Sequence, residues 1–142
     1  RRYLAIAHGE VEKRTLRSFF VENRGDGLRG STLERGRGVE SITHVEPVEA
    51  LRGATAIACR LETGRTHQIR IHLSEAGHPL VGERVYVRNY KGRLIHAPRV
   101  MLHAKELGFV HPVTGEDVRF ACDVPADMQG MIARLSPGAR RA

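Results

Sequence analysis

Apolar and polar positions fall into short blocks along this 142-residue chain, and most of the blocks read as strands. Tyr3-Leu4-Ala5-Ile6-Ala7 is a continuous apolar run with no polar leader before it, which reads as a core strand. Residues 41–49 and 54–62 read as an antiparallel pair joined by Ala50-Leu51-Arg52-Gly53. In the second of these, Ile57, Cys59 and Leu61 point one way and Ala58, Arg60 and Glu62 the other. The period then changes from two to 3.6. After Thr63-Gly64, Thr66 is placed as an N-cap, and Ile69, His72, Leu73 and Ala76 form the apolar stripe of a helix. Gly77 fits its C-terminal stop, and His78-Pro79 prevents its continuation. Residues 100–110 and 117–122 read as two further strands about a turn at His111-Pro112-Val113-Thr114-Gly115. A short helix over 125–135 and a basic tail at 136–142 close the chain. Residues 23–38, rich in glycine and charge, read as a mobile loop or arm. They lack the order of a phosphate-binding loop, and a linker is favoured over a specific site. No internal repeat is visible.

Length allows one domain with one sizeable core. No apolar run is long enough for a membrane span or a signal peptide. Cys59 and Cys122 form no metal signature, and they read as reduced thiols of a cytoplasmic protein. Charge changes the picture more. Against 16 acidic residues stand 23 Lys and Arg, a formal net charge of +7. Residues 60–105 hold nine of the basic side chains and only three acidic ones. Such a balance favours a polyanion, nucleic acid above all, although a solvated basic face with no partner fits it equally. There is no Trp and little aromatic surface, which argues against a base-stacking platform.

The candidate chemistry gathers at Leu61-Glu-Thr-Gly-Arg-Thr-His-Gln-Ile-Arg-Ile-His-Leu73. Arg65, Arg70, His67 and Gln68 crowd one strand-to-helix junction, where guanidinium forks and a helix N-terminus both favour anions. Arg70 lies off the apolar stripe, so it can face a cleft; a surface ion pair with Glu75 or Glu62 is the plainer alternative. His67 and His72 are five apart, about 140° around a helix, and cannot share a metal ion. His72 reads as a core-facing histidine with a hydrogen bond. Neither a metal-ligand pattern nor a nucleophile elbow is present. Tyr3, taken alone, is simply a strand aromatic.

Arg1-Arg2-Tyr3-Leu4-Ala5-Ile6-Ala7-His8-Gly9 resembles the second motif of the RluA-type pseudouridine synthases, K-x-Y-x-A-x-x-x-G. Gly64-Arg65-Thr66-His67-Gln68-Ile69-Arg70-Ile71-His72-Leu73 resembles their third motif almost letter for letter, and residues 77–86 match the segment that follows it. Leu102-His103-Ala104 and His111-Pro112 resemble the family's closing strand and turn. The likeness runs from residue 1 to about residue 135.

The resemblance implies an α+β fold, a mixed α/β domain around a predominantly antiparallel sheet with a few helices. It implies isomerisation of uridine to pseudouridine in ribosomal or transfer RNA, on a flipped base, with no cofactor and no metal. It places Tyr3 against the target base and pairs Arg70 with a catalytic aspartate, held ionised by the opposite charge. It assigns Arg65, His67 and Gln68 to shaping the cleft or touching RNA backbone, and Leu102 to an apolar wall. The family's first motif, H-R-L-D-x-x-T-S-G, carries that aspartate and is absent; Asp26, Asp117, Asp123 and Asp127 have no such flanks. Residues 1–135 are therefore expected to be the C-terminal portion of a catalytic domain, inactive alone, whether through a truncated clone, proteolysis or a split gene. A catalytically inactive RNA-binding module is the alternative, with 23–38 as a candidate RNA contact. In a fragment, an exposed strand edge is expected to invite self-association.

Overall fold

In the computed structural model, which describes residues 1–110 and 113–138, the chain builds seven strands and two helices. The strands are β1 (Arg2–His8), β2 (Arg14–Val21), β3 (Gly30–Thr32), β4 (Val39–Leu51), β5 (Ala54–Leu61), β6 (Leu102–Val110) and β7 (Asp117–Ala121). Helix α1 (Gln68–Glu75) lies between β5 and β6, and α2 (Ala126–Leu135) follows β7. All pairings are antiparallel, in the order β3-β2-β4-β5-β1-β6-β7. The expected α+β class with a mainly antiparallel sheet is the one observed. His111 and Pro112, and most of the basic tail, lie outside the described residues.

The pleat of β1 sends alternate residues to two cores. Ala5 and Ala7 join Val45, Ile57, Cys59 and Leu80 beneath Ile69 and Leu73 of α1. Leu4 and Ile6 join Ala54, Ala56, Val81 and Met101 beneath Met128 and Met131 of α2. Cover on both faces explains why the middle of β1 is a continuous apolar run rather than an alternating one. Strand β1 is interior, flanked by β5 and β6, and offers no free edge. The sheet ends instead at β3 and β7. Pro47 sits at an irregularity of β4, where the register skips Val48, a place in which a residue without an N–H is tolerated.

Two sequence expectations are corrected. The 23–38 segment is not simply an arm: it contains β3, which pairs with β2. Asn23 Oδ1 accepts from the amides of Gly25 and Gly27, and the Ser31 amide donates to Glu75 of α1. Local side-chain bonds thus order a segment whose composition alone suggested none. Thr66 does not cap α1; the N-cap is His67, in the left-handed conformation at φ 54°. At the other end Gly77 (φ +89°) closes the helix as expected, its amide bonding the Ser74 carbonyl while the His78 amide bonds that of Leu73.

Candidate functional site

The β5–α1 turn is built around Gln68. Its Oε1 accepts from Thr63 Oγ1 (2.7 Å) and from the Arg65 amide (3.0 Å). Its Nε2 donates to the Ile42 carbonyl and to Thr43 Oγ1, both at 2.9 Å. Gln68 is buried and all its polar capacity is directed inward. Its hydrogen-bonding groups are thus all engaged within the protein, bracing the turn. Arg65 donates through Nε and Nη2 to the Glu40 carbonyl, which fixes its stem at the exposed lip of the turn.

This turn meets the start of β1. The Arg1 guanidinium occupies the space that a side chain at Gly64 would need, so the two motifs touch at a glycine. Tyr3, opposite Cys59 on β5 and Ala104 on β6, packs on the α1 side of the sheet. Leu102 packs against the same core, which also holds Ile69 and Leu73. Tyr3, Leu102 and one face of α1 therefore share a wall.

Arg70 has a different neighbour from any expected. It pairs with neither Glu75 nor Glu62 but with Glu83, in a two-pronged bond from Nε (2.7 Å) and Nη2 (2.8 Å). The Glu83 carboxylate is fully buried and also accepts from the amides of Val85 (3.1 Å) and Tyr86 (3.3 Å). Burial alone would raise its pKa, but the guanidinium and the two amides outweigh that and hold it below the ordinary glutamate range. The same bonds raise the pKa of Arg70. Arg70 lies 5.3 Å over the Tyr86 ring, and the Tyr86 hydroxyl bonds His67 Nδ1 at 2.7 Å. Burial, and then the nearby Arg70 charge, lower the pKa of His67. His67 is the sole non-glycine residue at positive φ among the described residues, and it stands at the entrance of α1. Among the described residues no hydrogen bond joins Tyr3 to Arg70.

Sequence reasoning missed Glu83 and Tyr86 as parts of this site. Both lie in the 77–86 segment that resembles the family, but a carboxylate in an irregular stretch carries no local mark of burial. Just before it Gly82 (φ +89°) turns the chain against the Arg99 carbonyl, which an added Cβ would strike. The Val81 amide bonds the Ile6 carbonyl and the Met101 amide bonds that of Val81, lacing the segment to β1.

His72 is the buried histidine that the sequence suggested. Its Nδ1 bonds Thr43 Oγ1 (2.7 Å) and its Nε2 bonds Ser18 Oγ (3.0 Å). Burial pushes its pKa down to about 4. No group of three His, Cys, Asp or Glu among the described residues is placed to hold a metal ion, and no helix among them is long and apolar enough to cross a membrane.

Comparison with known proteins adds to this geometry. The family model described as RNA pseudouridylate synthase matches residues 1–75. Over 107 residues the chain is 46% identical to ribosomal large subunit pseudouridine synthase D of Zymomonas mobilis subsp. mobilis, covering 70% of this chain and 33% of that protein. It is 37% identical to the enzyme of the same name from Xanthomonas campestris pv. campestris, covering 100% of this chain and 46% of that one. Among solved structures, human RNA pseudouridylate synthase domain containing 1 matches with a TM-score of 0.67 at 27% identity, over 86% of this chain and 53% of its own. Human RNA pseudouridylate synthase domain containing 4 shares the fold, with a TM-score of 0.73 at 18% identity over 94% and 61% of the two chains. The chain thus spans from a third to under half the length of these two curated relatives.

Proposed function

This chain belongs to the RNA pseudouridylate synthase family, and from that premise we propose that it forms one wall of a cleft in which a uridine of ribosomal or transfer RNA is isomerised to pseudouridine. The reaction breaks the N1–C1′ bond, turns the base and joins C5 to C1′, the C5 proton leaving to solvent while the freed N1 takes one up. The nucleophilic aspartate of this reading comes from an H-R-L-D segment that residues 1–142 do not contain. The observation that carries the proposal is the meeting of two motifs on one face: Arg1 sits over Gly64, and Tyr3 and Leu102 share a core with α1.

In this reading Tyr3 lies against the target base and Leu102 lines the wall beside it. Glu83 is a positioning residue: it occupies Nε and Nη2 of Arg70 and leaves Nη1 for the incoming aspartate carboxylate. An opposite charge at that distance keeps the carboxylate ionised, as a nucleophile requires. Arg65 and His67 border the cleft mouth, where an RNA phosphate suits both the guanidinium and the helix N-terminus. The setting is cytoplasmic, in keeping with two free thiols.

Tritium release from RNA labelled at uridine C5 tests this. The chain alone is expected to release none; joined to an H-R-L-D-bearing segment it is expected to turn over, and Arg70→Ala in that protein to abolish turnover. Release by residues 1–142 alone would show that another carboxylate does the chemistry. An unimpaired Arg70→Ala variant would remove Arg70 from the mechanism.

A further inference from the structure

The sheet face opposite Tyr3 carries a second concentration of charge. Part of it is closed by α2 over Leu4, Ile6, Ala54 and Ala56. The rest opens into a groove of about 540 Å³ whose lining includes Arg2, Lys13, His44, Ala58 and Arg60. Strand register explains why these side chains meet. Arg2 is opposite Arg60, Arg60 opposite His44, and His44 opposite Thr15, a single row across β1, β5, β4 and β2. In the neighbouring row Ala58 is opposite Glu46, which leaves a low floor between the cations.

The charges here are unbalanced. Among the described residues none of Arg2, Lys13 and Arg60 has a carboxylate within ion-pair distance, and all three are exposed. The acidic neighbours are few. Glu46 lines the groove, Glu62 is taken by His44, and Glu40 by Arg17. Glu106 is in register with Arg2 on the β6 side and has an interaction of its own. Directly opposed like charges, with side chains roughly 5 Å apart, destabilise a sheet. An anion seated between Arg2 and Arg60 would relieve that repulsion.

We propose that this groove binds the phosphodiester backbone of RNA, as a second contact on the opposite face of the sheet from Tyr3. The inference rests on the reading of RNA as substrate, and adds where a part of the RNA remote from the target base is held. An acidic protein surface fits less well, because the lining has no Trp, Tyr, Phe, Leu, Ile or Met to anchor one. With no Phe, Tyr or Trp to stack on and His44 tied to Glu62, contact is to phosphates rather than bases, so binding here is indifferent to sequence and sensitive to salt.

The test uses the 142-residue chain and a fluorescein-labelled RNA hairpin, with anisotropy read across a series of KCl concentrations. Arg2→Gln/Arg60→Gln is expected to weaken binding by about tenfold at low salt. It should also reduce the slope of log affinity against log salt by roughly 1.5, the loss of two phosphate contacts. RNA should protect Arg2 and Arg60 of the unaltered chain from phenylglyoxal, read by peptide mass spectrometry. Unchanged affinity and slope in the double variant, with the unaltered chain binding normally, would overturn the groove and leave the RNA reading intact. No binding by the unaltered chain would overturn both. Preference for polyglutamate over RNA, lost in the same variant, would overturn the proposal in favour of an acidic protein partner.

Discussion

The two faces of the sheet treat charge in opposite ways. On the α1 side Glu83 is buried and the groups that touch it are paired: Arg70 by a two-pronged bond and the carboxylate by two further amides, while the neighbouring His67 bonds the Tyr86 hydroxyl. On the other side Arg2 and Arg60 face each other in water with no carboxylate partner among the described residues. A charge inside a protein is tolerable only when fully paired, whereas an exposed one is screened and costs little. The buried Arg70–Glu83 pair therefore holds the fold, whereas Arg2 and Arg60 on the open face stay free for a ligand.

The sharpest way to break this contrast is Glu83→Gln. It strands a mostly buried guanidinium without its anion, and a loss of about 3 kcal/mol is expected in urea unfolding. A loss below about 1 kcal/mol would mean that the pair is solvated and the two faces are alike.

A similar magnitude is expected from pH. The folded His72 titrates near 4 because it is buried, while an unfolded histidine titrates near 6.5. Between those values the unfolded chain binds more protons, so stability falls as pH falls through this window and levels off below it. The His72 contribution is about 3 kcal/mol across the window. His8 and His67, also lowered by burial, act in the same direction. Urea unfolding at a series of pH values should therefore show a steep decline in the unaltered chain and a shallower one in His72→Asn. Parallel declines would place the sensitivity elsewhere.

The smallest effect belongs to the open face and has the opposite sign. Arg60→Gln removes one of two opposed cations and is expected to stabilise the chain by a few tenths of a kcal/mol, readable as a small rise in Tm. Weaker RNA binding in the same variant would complete the contrast, since a site kept for a ligand is paid for in stability. Destabilisation by more than about 1 kcal/mol would show that Arg60 supports the sheet.

Much of the architecture was legible in the residues themselves. The switch from alternating to 3.6-residue periodicity marked β5 and α1, Gly77 marked the helix end, and the apolar run of 3–7 marked a core strand. Those signals are local, set by side chains a few positions apart. The N-cap was not legible, because Thr66 has the better capping side chain. His67 takes the position through a left-handed backbone that Tyr86, nineteen residues on, helps to hold. The order within 23–38 was hidden likewise: Ser31 finds Glu75 only once β2 and α1 lie side by side.

For the candidate site, sequence by itself determined the family and which residues crowd the β5–α1 turn, since motif spacing survives without coordinates. Tertiary structure alone decided that Gln68 is an inward bracket, that Arg70 answers to Glu83, and that Arg2 and Arg60 share a groove. Each of these depends on which groups lose water and which face one another across strands, and both are set by packing between segments distant in the chain.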